Sequence, residues 1–319
     1  MRVIPLEDIG SPRWDRFVQK TAQGVFLHSR NFLSYHGNRF KDVSLLIEND
    51  KGQLRGLFPA AQALGNETCV ISHPGITYGG LLHDPGCRAD EVMAMAADIR
   101  TWYREQDYHT LIYKSVPHHV QRQVVQSDLY ALWRGGAKLV RRDLWNVLDL
   151  SSPRSLSKGH NWGYKKASKN GITVDRLEIS SYASFYKMLE DGLVERYGSK
   201  PVHTLEELLD LQQRFPEEIQ LWGCKTTDGE MVAGTWLFRL HSRCWHTQYI
   251  TTNAKGRELF ATDLLLEELV SLAVKVGVKH FSFGCSTDDG GQSLNAGLFS
   301  FKAGFGAGAV VQDFYELEL

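Results

Sequence analysis

The sequence predicts a mixed α/β (α+β) protein built as two successive copies of one unit, and three observations carry that expectation. The chain has 319 residues, which exceeds the usual size of one domain. Its two halves end alike: GGAKLVRRDLWNVLDL (135–150) and FGAGAVVQDFYELEL (305–319) both run from a glycine turn into alternating apolar residues. A fixed offset of 170 residues sets Gly136 on Gly306, Val140 on Val310, Asp143 on Asp313 and Trp145 on Tyr315.

The same offset orders the elements upstream. HTLIYK (109–114) falls on KHFSFG (279–284), pairing Leu111 with Phe281 and Tyr113 with Phe283 as a strand's inward face requires. Before each strand lies an amphipathic helix. The first spans about 89–106 and puts Val92, Met95, Ala96, Ile99, Trp102 and Tyr103 on one face; the second spans about 258–276, with Leu265, Leu269, Leu272 and Val276 apolar. Further upstream, SLLIENDKGQLRGLFPAA (44–61) and LWGCKTTDGEMVAGTWLF (221–238) both read strand, glycine turn, strand. There the offset grows to 178, as one loop insertion would make it. Hairpin, helix, strand and closing strand recur in one order, so duplication is expected, with domains at 1–150 and 151–319.

Composition excludes several classes. Lys and Arg number 36 against 37 for Asp and Glu, so no global field draws in nucleic acid or membrane. Five scattered cysteines without a CxxC pair argue against a disulfide framework or structural zinc. His118-His119 follows Pro117 with no further ligand at fixed spacing, so no metal is expected. The start, MRVIPLEDIG, has early acids and no apolar run, and no later stretch is apolar for long enough to span a bilayer. A cytoplasmic protein without a membrane span is the expectation.

The strand RCWHTQYITTN (243–253) should alternate, with Trp245, Thr247 and Tyr249 on one face and His246, Gln248 and Ile250 on the other. It leads through Ala254, Lys255, Gly256 and Arg257 into a helix, whose free N–H groups are a natural seat for pyrophosphate. His246 is a candidate general base, since an imidazole titrates near working pH, or else a satisfied polar group within the sheet. FSFGCSTDDGGQSLNAGLFSFKAGFGA (281–307) then offers Asp288 or Asp289 to take a proton from an ammonium nucleophile, or a plain solvated turn. In the same run Lys302 is placed to neutralise a phosphate or oxyanion, and Asn295 to contact substrate or cap a helix. Cys285 reads as a small buried residue more readily than as a nucleophile, there being no activating His beside it in sequence.

In the first half, ISHPGITYGGLL (71–82) gathers His73 and Tyr78 beside two glycines, and GVFLHSRNF (24–32) holds His28; all three are candidate substrate contacts. The join, SSPRSLSKGHNWGYKKASKNGI (151–172), has no acid from 151 to 170. Lys158, Lys165, Lys166 and Lys169 cluster there beside Trp162 and Tyr164, as a solvated linker and short helix or as a phosphate-binding surface.

The closing FKxGFG (Phe301, Lys302, Gly304, Phe305, Gly306), the strand ending in FG before it, and YKKASKNGITV (164–174) together resemble the FemAB-like branch of the GNAT acyltransferases. ISHPGITYGGLL resembles a segment of the same branch. The resemblance covers most of the chain and implies two tandem GNAT-like domains, each a mostly antiparallel central sheet flanked by helices. It implies an N-acyltransferase in which an amine attacks an activated acyl group, with acetyl-CoA or another acyl-CoA as co-substrate. The acceptor it favours is a small amine, such as a nucleotide-linked amino sugar of cell-surface polysaccharide synthesis. Aminoacyl-tRNA-dependent transfer of the cell-wall type is the alternative, and a non-catalytic ligand-binding protein the second.

Under this resemblance Lys302 contacts substrate or acyl donor, while Tyr249, Ile250, Gly256 and Arg257 hold the cofactor. Lys165 joins His28, His73, Tyr78 and Asn295 as a substrate contact. The GNAT pyrophosphate signature is altered here: Asn253 stands for its first Arg or Gln and Glu258 for its last Gly or Ala.

Overall fold

The computed structural model describes residues 1–6 and 11–319; part of the opening decapeptide lies outside the described residues. Contacts divide the chain into two compact units. The first comprises Met1–Leu144, Thr287–Ser293 and Val311–Leu319; the second comprises Trp145–Ser286 and Leu294–Val310. This differs from a single cut after residue 150 because the last strand of the chain returns to the first unit, where Phe314 to Glu318 pair with Lys114 to Thr110.

In the first unit, strands β1 (Arg2–Pro5), β2 (Leu45–Glu48) and β3 (Leu54–Phe58) form an antiparallel sheet, with helices α1 (Ser11–Lys20) and α2 (Arg30–Leu33) between β1 and β2 in sequence. β4 (Ala61–Ala63) and β5 (Asn66–Ile71) follow, then the short β6 (Leu82–His83), which closes the first sheet against β3. Helix α3 (Ala89–Glu105) leads to β7 (Thr110–Lys114), parallel to β5, and then to α4 (Ser127–Arg134). Val92, Met95, Ile99 and Tyr103 are buried on α3, the stripe that the helical period selects, and they join Phe58, Leu111 and Leu132 in the core. Strand β8 (Lys138–Asp149) crosses from the first unit into the second.

In the second unit, the basic stretch folds as α5 (Lys158–Lys169), followed by β9 (Thr173–Arg176), α6 (Tyr182–Tyr197) and α7 (Leu205–Arg214). Three consecutive antiparallel strands come next: β10 (Ile219–Lys225), β11 (Met231–His241) and β12 (Cys244–Thr252). The helix expected at 258–276 is α9 (Ala261–Lys275); a separate short helix, α8 (Ala254–Glu258), precedes it, and Phe260 at φ +56° parts the two. Strand β13 (His280–Cys285) lies between β12 and the second-unit part of β8. The two-residue strands β14 (Thr287–Asp288) and β15 (Ser293–Leu294), helix α10 (Ala296–Ala303) and β16 (Gly308–Glu318) complete the chain. Leu264, Leu265, Val270, Phe281, Phe283 and Phe305 are buried in its core.

The chain runs twice through hairpin, strand, helix, parallel strand, helix and long strand, with β4 and β6 added in the first pass and β14 and β15 in the second. Among the described residues no helix is long and apolar enough to cross a membrane, and no group of three or more His, Cys, Asp or Glu is placed to hold a metal ion.

Candidate functional site

The site begins where two parallel strands part. β12 and β13 pair at only three rungs, the last being His246 with Ser282. Beyond that rung each strand carries an irregularity. β12 gains one residue, Gln248, between the partners of Trp236 and Leu237, so the strict alternation expected over 243–253 ends there. β13 shifts register between Ser282 and Gly284, and Gly284 takes φ +80°, a conformation open mainly to glycine. Past His246, β12 is paired with β11 alone among the described residues, so its other edge has no strand partner there.

A cavity of about 560 Å³ lies at this end of β12. Its lining comes from Ile250, Thr251 and Thr252 on the strand, Arg257 on α8, Leu193 and Arg196 on α6, and Asn295, Phe301 and Lys302 at α10. Four residues singled out in the sequence (Ile250, Arg257, Asn295 and Lys302) therefore meet at one surface.

Lys302 is the unusual group among them. It is only 4% exposed, and its Nζ donates to the carbonyls of Gly284 (3.1 Å) and Cys285. An ammonium has three N–H bonds, so one is left beyond these two. Burial pulls its pKa down to about 8, which keeps it mostly charged at neutral pH. Asn295 caps α10, its Oδ1 accepting from the Leu298 amide at 3.0 Å.

The rest of the closing motif supports that helix. The His160 ring bonds Asp263 Oδ1 through Nδ1 (2.6 Å) and the Phe301 carbonyl through Nε2 (3.0 Å), and stacks on Phe305 at 4.1 Å. Burial opposes charge on His160, but the Asp263 bond and charge together raise its pKa. Gly304 is required here, since a Cβ would come within 2.3 Å of the His160 ring. Sequence reasoning missed His160 and Asp263, which are far apart in the chain. It also missed the α6 wall, whose signal was the buried helical series Tyr182, Phe185, Met188 and Leu189.

The pyrophosphate loop is already engaged. The Gly256 amide donates to Asn253 Oδ1 at 2.8 Å, and a Cβ on Gly256 would lie 2.1 Å from the Val232 carbonyl. Packing alone thus accounts for this glycine. Lys255 pairs with Glu230 (2.6 Å) and Asp228 (3.4 Å), and Asn253 Nδ2 also reaches Glu230. Tyr249 points elsewhere, its hydroxyl on His203 Nδ1 at 2.8 Å, and burial raises its pKa to about 12.

His246 is 4% exposed, with Nδ1 3.2 Å from Ser282 Oγ, and it packs against Trp145. Burial, then the Lys302 charge, pulls its pKa down to about 4. Asp288 is exposed on β14 and belongs to the first unit, whereas the cavity is lined by the second unit alone. Asp289 accepts from Ser293 Oγ at 3.0 Å within the same exposed turn. Lys165 is exposed on α5 with Lys158, Lys166 and Lys169, and Lys166 lies over the rings of Trp162 (4.9 Å) and Phe260 (4.7 Å).

The first-unit candidates form a separate buried cluster. His28 and Tyr78 are 0% exposed, His73 is 3% and Lys114 is 7%. The Val25 amide donates to His28 Nδ1 at 3.1 Å, and burial drives the His28 pKa down to about 3. His73 takes φ +57°, and burial followed by the His36 and Lys114 charges holds its pKa well below the ordinary value. Lys114 Nζ donates to the carbonyls of His73 (3.2 Å) and Ile76.

No family model matches the sequence, and no curated protein matches it. Solved structures do. The crystal structure of FemX superposes with a TM-score of 0.72 at 12% identity, covering 100% of this chain and 98% of that one. L-PGS from Bacillus licheniformis gives 0.63 at 13% identity, over 95% and 90% of the two chains. A tandem GNAT protein from the clavulanic acid biosynthesis pathway gives 0.52 at 12% identity, over 99% and 98%. The chain has the fold of the FemAB-like, tandem GNAT proteins.

Proposed function

We propose that the second unit transfers an acyl group to an amine, and that its donor is an aminoacyl-tRNA. The observation that carries the transfer reading is Lys302, a buried ammonium lining a cavity with one N–H uncommitted. Such a donor in a site poor in water stabilises the oxyanion that forms when a nucleophile adds to a carbonyl. The amine nitrogen attacks the ester carbonyl, the new C–N bond forms, and the C–O bond to the ribose breaks. The proton shed by the amine balances the one taken up by the ribose oxygen. His246, with a pKa near 4, is too weak a base to strip an ammonium efficiently. In this reading it fixes Ser282 at the last rung before the strands part.

The choice of donor rests on charge. At the α8 loop the Gly256 amide is capped, and the carboxylates of Asp228 and Glu230 would repel a CoA pyrophosphate. On α5, by contrast, four exposed lysines and the exposed Trp162 line a helix without an acid, a surface suited to a nucleic-acid backbone. The acetyl-CoA donor and amino-sugar acceptor expected from the sequence find no such support.

The test supplies charged tRNA labelled on the amino acid, and acetyl-CoA in parallel, with a panel of amines that includes nucleotide-linked amino sugars. Labelled amide from charged tRNA, formed at a rate that falls steeply with salt, is the expected result. Amine-dependent thiol release from acetyl-CoA alone would overturn the donor assignment. Transfer from neither would overturn the transferase reading.

A further inference from the structure

The first unit holds a second cavity, of about 450 Å³, lined by residues of α3, α4, β3, β7 and β16. That volume falls within the range of about 300–1,000 Å³ typical of small-molecule sites. Its walls are hydrocarbon: Phe58, Leu81, Ile99, Leu111, Leu132 and Leu317. Two polar features interrupt them, and neither belongs to the transfer site.

One feature is a buried acid. Asp128 is 7% exposed, and its Oδ2 accepts from the Tyr113 hydroxyl at 2.5 Å, which itself accepts from the Leu81 amide at 2.8 Å. Oδ1 of the same carboxyl is buried without a hydrogen-bond partner. A buried polar atom left unpaired is destabilising, a cost that a ligand's hydroxyl would remove. Burial raises the Asp128 pKa.

The other feature is a set of three arginines. Arg100, Arg104 and Arg134 line the same cavity, Arg104 and Arg134 at its exposed rim. Arg100 donates to the Gly135 carbonyl at 3.1 Å, and its Nε is buried without a partner. Among the described residues no carboxylate pairs with any of the three. Guanidinium groups around an apolar opening are matched by a carboxylate or phosphate.

We infer that this cavity binds an anionic amphiphile, with its apolar chain against the α3–α4 walls, its acidic head on the arginines and a chain hydroxyl on Asp128. Tyr130 (51% exposed) and Trp133 (67%), whose ring centroids are 5.8 Å apart on α4, suit delivery from an interface as well as from solution.

Calorimetric titration of the full chain with dodecanoate, and with dodecanol as the uncharged control, tests the inference. Dodecanoate binds saturably, and dodecanol about tenfold more weakly. Replacing both Arg104 and Arg134 by Ala, at exposed positions, weakens dodecanoate by roughly tenfold. Ala97→Trp, at an exposed lining position, blocks the cavity and abolishes binding. Within the ω-hydroxy series from octanoate to hexadecanoate, one member binds more tightly than its plain counterpart, and Asp128→Leu removes that gain. Sedimentation with phosphatidylglycerol vesicles that Ala97→Trp abolishes assigns the source to a bilayer; titration without sedimentation assigns it to the free acid, and either supports the site. No saturable binding by any chain, equal affinity for dodecanol, or full affinity in Ala97→Trp overturns it.

Discussion

Each unit buries one lysine, and the two are put to opposite uses. Lys302 in the second unit and Lys114 in the first are 4% and 7% exposed, and each donates to two backbone carbonyls. Burial lowers both pKa values, to about 8 and about 7. The difference is what lies beyond the carbonyls. Lys302 opens onto a cavity, whereas Lys114 is enclosed by the His73–Ile76 turn. A perturbed lysine alone does not mark a site; the open volume beside it does.

Lys302→Met should lower the transfer rate by about 100-fold or more, the scale of losing one oxyanion donor. Wild-type rates should also fall as pH rises through about 8, where Lys302 loses its charge. Lys302→Arg should move that limb beyond about pH 10 while lowering the maximal rate, because a planar guanidinium cannot copy the three-donor geometry.

Lys114 should report on stability instead. Its folded pKa is depressed, so between about 7 and the unfolded value the unfolded chain binds more protons, and raising pH favours the fold. The contribution is about 1.4 kcal/mol per pH unit across that window. Denaturant titrations at pH 8 and 9 should show nearly this slope in the wild type and its loss in Lys114→Met.

A smaller effect sharpens the account of α10. His160→Ala leaves Asp263 buried without its partner, at a cost of about 2 kcal/mol or more. Denaturant midpoints and transfer rates should fall together, because the same ring holds the Phe301 carbonyl beside Lys302. Smallest of all, replacing Lys158, Lys165, Lys166 and Lys169 by Ser should cost no more than about 0.5 kcal/mol per substitution. It should flatten the dependence of log affinity for tRNA on log salt by roughly 0.7 per lost phosphate contact.

Much of the fold was legible in the sequence because it rests on local periodicity. The hairpins, the first amphipathic helix and both parallel strands fall where alternation and the helical period put them. Of the cavity residues, Lys302 was legible through the closing motif and Asn295 as a candidate cap in the loop before it. Long-range geometry was not. The break at Phe260 is a left-handed residue inside an apolar helical pattern, and nothing in that pattern signals it. The extra residue at Gln248 shows only in the register against β11. The return of the last strand to the first unit, and the meeting of His160 with Asp263, are pairings across long stretches of chain that no local period encodes.

The most direct test compares single-turnover transfer from charged tRNA to the amine panel in wild type, Lys302→Met and Lys114→Met, each shown folded by circular dichroism. The account predicts a loss of about 100-fold or more in Lys302→Met and a rate within a few-fold of wild type in Lys114→Met. Equal rates in all three, or an equal loss in both variants, would contradict it.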